Sequence, residues 1–83
     1  MKVFTLRHIE NNREIFANTY YATQSELKAG CRAADKKLRV DLVAEELDVQ
    51  TDKAGVVGML NGNVICTTAR AWNLTARGAL EEA

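Results

Sequence analysis

Residues 54–68 read Ala54-Gly-Val-Val-Gly-Met-Leu-Asn-Gly-Asn-Val-Ile-Cys-Thr-Thr68, and the fold turns on how this run is taken. Asn61-Gly62 lies between two apolar, β-branched segments. That is the strongest short-range hairpin signal, because a two-residue type I′ turn needs positive φ at both central positions. On this reading residues 54–72 form a hairpin with Val57, Met59, Val64 and Cys66 on the core face. Val56, Gly58, Leu60, Ile65 and Thr67 take the other face. Gly55 and Gly58 mark a bulge or a close backbone approach. Asn73-Leu74-Thr75 then opens a short helical or frayed end.

Working outward, residues 2–22 read as a first hairpin. Lys2 to Ile9 and Glu14 to Tyr21 are rich in β-branched and aromatic types, and Glu10-Asn11-Asn12-Arg13 is a polar turn. The register puts Phe4, Leu6, Ile15 and Ala17 on the core face. Val3, Ile9, Phe16 and Tyr20 fall on the other, which makes Phe16 and Tyr20 candidates for a partner surface.

Thr23-Gln-Ser-Glu26 is a capping box, so a helix begins there. Leu27, Cys31, Ala34 and Leu38 recur at helical spacing and supply one apolar stripe. Lys28, Arg32, Lys36 and Arg39 stand on adjacent turns as a basic ridge. Gly30 costs such a helix about 1 kcal/mol, which a close approach to the sheet would explain. The helix is expected to end near residues 37–39. Residues 40–48 read as a second short helix or a bent continuation of the first, with a rival reading of Leu38 to Val43 as a strand.

The assembled expectation is an α+β, two-layer fold of one domain spanning residues 1–83. It has an antiparallel four-stranded sheet in the order β-β-α-(α)-β-β, with its helices on one face. One sheet face is then left for a polar surface, a dimer or a partner, and Phe16, Tyr20, Leu60 and Ile65 argue against a purely polar one.

Composition bounds the function. The 83 residues, 47% of them hydrophobic, suffice for one modest core and no large enclosed pocket. Eleven basic residues balance eleven acidic ones. The first 40 residues nevertheless carry eight basic and four acidic side chains, and residues 41–83 carry three and seven. Asp41, Glu45, Glu46, Asp48 and Asp52 concentrate the negative half. Either opposite charges meet within the fold, or one patch steers a charged partner.

Catalysis finds little footing. His8 is the only histidine and has no sequence-adjacent Ser or Cys with an acid to orient it. Two cysteines, Cys31 and Cys66, separated by 34 residues, read as free thiols rather than a disulfide or zinc site. The acidic run lacks the spacing of a calcium loop, and the glycines lack the Lys-Ser or Lys-Thr of a phosphate loop. No cofactor, metal or small-molecule substrate is expected. The N-terminus lacks a secretion signal and the apolar runs are too short to cross a bilayer, so the expected compartment is the cytoplasm.

The expected role is a small non-enzymatic protein-binding module that inhibits or regulates a larger protein or complex by occupying its surface. Its candidate contacts are Phe16, Tyr20, Tyr21, Lys28, Arg32, Lys36, Arg39, Asp41, Glu45 and Trp72. Trp72 could equally plug the core. Two alternatives stand beside this. One is a nucleic-acid-binding protein using the basic ridge and exposed sheet aromatics, and the other is a homodimeric structural protein.

Overall fold

A computed structural model describes residues 1–10, 13–14, 19–50, 52–62 and 66–83, with only the backbone of Glu10, Arg13 and Glu14. The elements are β1 (Lys2–Glu10), β2 (Arg13–Glu14), β3 (Thr19–Tyr21), α1 (Gln24–Ala33), α2 (Lys36–Arg39), β4 (Leu42–Val49), α3 (Lys53–Leu60), β5 (Cys66–Leu74) and β6 (Leu80–Glu82). The result is an α+β domain with an antiparallel sheet.

Segments β2 and β3 both pair along the edge of β1 that β4 leaves free, so six strand segments make a sheet five strands wide. The order is β2/β3, β1, β4, β5, β6. The first hairpin is therefore present, but its ladder shifts: Ile9 pairs with Glu14, whereas Leu6 pairs with Thr19 rather than with residue 17.

Phe4 and Leu6 lie on the core face, as the alternation in β1 requires. They join Leu27, Cys31, Ala44, Trp72 and Leu74 in one buried cluster. Leu27 and Cys31 bring α1 onto this face. The Thr23 hydroxyl accepts from the Glu26 amide at 3.2 Å, and the Glu26 carboxylate accepts from the Ala22 amide at 3.0 Å. The box thus closes one residue earlier than the reciprocal pattern. Gly30 is explained by close approach: a Cβ there would stand 2.1 Å from the Tyr21 hydroxyl oxygen.

The helix stops sooner than the apolar stripe suggests. Ala34 is extended (ψ 144°), and Asp35 caps a separate turn, α2, by accepting from the Lys37 amide at 2.7 Å. Leu38 is consequently exposed.

The second half departs most from expectation. Residues 42–49 are a strand, not a helix, paired to β1 from Lys2↔Asp48 to His8↔Leu42 and to β5 on its other side. The rival strand reading had the right element type but placed it about four residues early. Central position decides the outcome, since β4 buries Ala44 on the α1 side and Leu47 and Val49 on the opposite side.

The Asn61-Gly62 hairpin does not form. Its first arm is α3, capped by the Asp52 carboxylate accepting from the Gly55 amide at 2.7 Å. Asn61 has φ −90° and only Gly62 is positive, at 80°. The Gly62 amide donates to the Met59 carbonyl at 3.1 Å. This glycine ends a helix in the left-handed conformation, a job as natural to it as a tight turn. The expected core face fails with the hairpin: Val57, Met59 and Cys66 are exposed, and Val64 lies outside the described residues. Ile15, Ala17, Phe16 and Ile65 lie outside them too. The C-terminus is strand rather than helix, because β5 runs to Leu74 and β6 pairs back on it. The helices do not share one face either. Val3 pairs with Leu47 on the side away from Phe4, and Met59 of α3 borders that side.

Candidate functional site

Of the ten candidate contacts Phe16 lies outside the described residues, and the other nine separate into interior and surface. Trp72 is buried in the core cluster, with the Arg70 guanidinium 5.3 Å from its ring centroid. Tyr21 packs against the same cluster. Burial lifts its phenol above the usual value, helped by the neighbouring Cys31 thiol. Cys31 is likewise pushed up, mainly by burial, while Arg32 and Arg39 pull the other way.

Arg39 leaves the expected ridge altogether, being only 8% exposed. It donates to the Ala76 carbonyl at 2.9 Å and the Arg32 carbonyl at 2.8 Å, so it ties the turn before β6 to the end of α1. Glu45, expected on a helix, stands in β4 at 6% exposure. It accepts from Arg7 and from the Thr68 hydroxyl, the latter at 3.0 Å.

The acidic segment is therefore not a continuous patch. As a strand it sends successive carboxylates to opposite faces, and they meet the basic residues of β1. Lys2 lies 3.7 Å from Glu46, Arg7 pairs with Glu45, and His8 stands 3.7 Å from Asp41. Lys2–Glu46 and Arg7–Glu45 offset part of the sequence asymmetry across the β1–β4 ladder rather than at a helix junction. Asp41 keeps a half-exposed side chain in the turn before β4. Among the described residues, Lys28, Arg32, Lys36 and Lys37 enter no ion pair, and all four are exposed. They form a basic outer surface on α1 and α2.

Tyr20 is 52% exposed, on the sheet side away from α1. Val3, Tyr20, Leu47, Val49 and Met59 surround a cleft of about 250 Å³ there. Among the described residues, Met1, Leu38 and Val40 are exposed singly elsewhere, and the largest run of exposed apolar side chains belongs to α3, which the sequence pattern reads as a strand. Val56 and Val57 are each 47% exposed, Met59 37% and Leu60 82%. The one buried residue of this helix is Gly55, where a Cβ would stand 2.7 Å from that of Gln50. Residues 54–69 carry no charged side chain. The hairpin reading of this run puts Val57 and Met59 in the core, whereas both are exposed on α3.

Among the described residues no three His, Cys, Asp or Glu side chains gather to hold a metal ion. No helix of the described residues is long and apolar enough to cross a membrane. No protein-family model matches this chain, and comparisons with characterised proteins and with solved structures find no match either.

Proposed function

We propose that this chain is a non-enzymatic protein-binding module that regulates a larger protein by covering part of its surface. Its contact surface is α3 together with the Tyr20 cleft. One observation carries the reading: a helix whose apolar side chains, Val56, Val57, Met59 and Leu60, face solvent while only a glycine is buried. A contiguous apolar patch on a small domain marks an interaction site more often than a defect. The adjoining cleft, with Tyr20 at its rim, is the kind of pocket in which a partner's anchor residue is held. Met59 joins the two, being both a helix residue and part of the cleft wall.

The test is capture from a native extract with three baits: the parent chain, Val57→Asp/Leu60→Asp, and Lys28→Glu/Arg32→Glu. The reading expects a protein held by the first and third baits and lost from the second. Capture indifferent to the α3 changes contradicts it.

A nucleic-acid reading keeps one specific observation in its favour, the exposed and unbridged Lys28, Arg32, Lys36 and Lys37. Nucleic acid retained at low salt, released at high salt and lost in Lys28→Glu/Arg32→Glu would shift the assignment to it. Self-association through α3 is the third outcome, read from the oligomeric state against concentration.

A further inference from the structure

On the α1 side of the sheet a second cleft, of about 390 Å³, opens between α1 and the sheet edge. Gln24, Lys28 and Cys31 line it from the helix, Trp72 from β5, and Gly78 and Leu80 from the last turn and β6. The helix side is basic, with Lys28 at the mouth and Arg32 one turn on, both exposed. No carboxylate is among its lining residues. Glu82, across the ladder from Trp72, stands 3.7 Å from Arg70 instead.

The strand beside this cleft is an open edge. β6 ends the sheet order, pairing with β5 alone among the described strands. Its hydrogen-bond parity can be read directly. The Ala79 carbonyl accepts from Thr75 at 2.9 Å, and the Ala83 amide donates to Ala71 at 3.2 Å, so residues 79 and 83 turn their backbone groups toward β5. In an antiparallel ladder that orientation alternates. Leu80 and Glu82 therefore point their N–H and C=O groups outward, away from β5 and toward the position of an added strand.

We infer that this edge and cleft form a second binding site, independent of α3, for an extended peptide with an acidic side chain flanked by apolar ones. The peptide adds a strand about 4.8 Å beyond β6, using the outward groups of Leu80 and Glu82. Its alternate side chains rise on the side of Leu80, where the cleft opens. Apolar ones reach the floor of Trp72 and Leu80, and a carboxylate answers the Lys28 ammonium, which no group of this chain neutralises among the described residues. Backbone pairing supplies sequence-tolerant affinity, and the charge selects.

Trp72 is the only tryptophan of the chain, so its emission reports occupancy of the floor directly. The probes are acetyl-Val-Thr-Glu-Thr-Val-amide, the same peptide with Lys in place of Glu, and the acidic peptide N-methylated at alternate amides. The site requires a saturable change in Trp72 emission with the acidic peptide. Affinity for the lysine peptide should be about tenfold lower, and that of the N-methylated one lower still. Lys28→Glu, at an exposed position, should reverse the order of the two charged peptides, and Val57→Asp/Leu60→Asp should leave all three unchanged.

Absence of a saturable response up to about 5 mM would overturn the inference. So would equal affinity for the two charged peptides, or N-methylation without effect. A short oligothymidylate binding more tightly than the acidic peptide would replace the peptide with a polyanion. None of these results bears on α3, since the two sites share no residue.

Discussion

The two longer helices of this molecule do opposite things with similar lengths of chain. α1 is amphipathic: it buries Leu27 and Cys31 against the sheet and turns Lys28 and Arg32 outward. α3 is apolar around most of its circumference, buries Gly55 and turns its valines, Met59 and Leu60 outward. Both are capped by a side-chain oxygen at the N-terminus, Thr23 in one and Asp52 in the other. A cap accompanies a helix even where propensity is poor, as at Gly55, Val56, Val57 and Gly58 of α3, but only a two-sided pattern says which way the helix faces. In α1 hydrophobicity is spent on the fold. In α3 it is left on the surface.

That contrast can be broken by mutation. The largest loss is expected from Leu27→Ala, which empties a fully buried position under α1 and should cost about 3 kcal/mol in urea unfolding. A loss below about 1 kcal/mol would mean that α1 does not anchor the core. Next comes Arg39→Met, which removes both donors to Ala76 and Arg32 and should cost about 2 kcal/mol, with the turn before β6 exchanging its amides faster. Thr23→Ala should cost about 1 kcal/mol through the lost cap.

Smaller again is a pH effect confined to the α1 side. Burial holds the Cys31 proton more tightly in the folded chain than the ordinary thiol value of 9.0. Above pH 9 the unfolded thiol loses its proton while the folded one keeps it, so the unfolded state binds fewer protons and stability falls as pH rises. The contribution is complete below that value and is lost as the pH climbs through the folded-state value. Cys31→Ala should flatten this decline relative to the parent, and an unchanged slope would remove Cys31 as its source. The least effect on stability is expected from Val57→Asp/Leu60→Asp, within about 0.5 kcal/mol of the parent, because both positions already face water.

How much of this was legible follows the same divide. The region through α1 could be read because local and tertiary signals agree there: β-branched strands, the Thr23 cap, and a stripe in which Leu27 and Cys31 do go inward. Beyond residue 34 they diverge. Leu42, Val43 and Leu47 suit a helix or a strand equally, and pairing with β1 on one side and β5 on the other decides for the strand. Asn61-Gly62 signals a positive φ without saying whether it serves a hairpin or a helix end, and the overlooked Asp52 cap was the local clue to the second. Of the candidate contacts, Tyr20, Lys28, Arg32 and Lys36 are on the surface. Arg39, Glu45, Tyr21 and Trp72 are held inside or half inside by partners that no sequence spacing announces.

Hydrogen exchange, measured on the chain alone and on the complex captured from native extract, tests most directly whether α3 is a contact surface. The account predicts slowed exchange over Lys53–Leu60 and around Tyr20, with the outer residues of α1 and α2 unchanged. Slowing confined to residues 28–37, with α3 exchanging as freely as in the isolated chain, would contradict it.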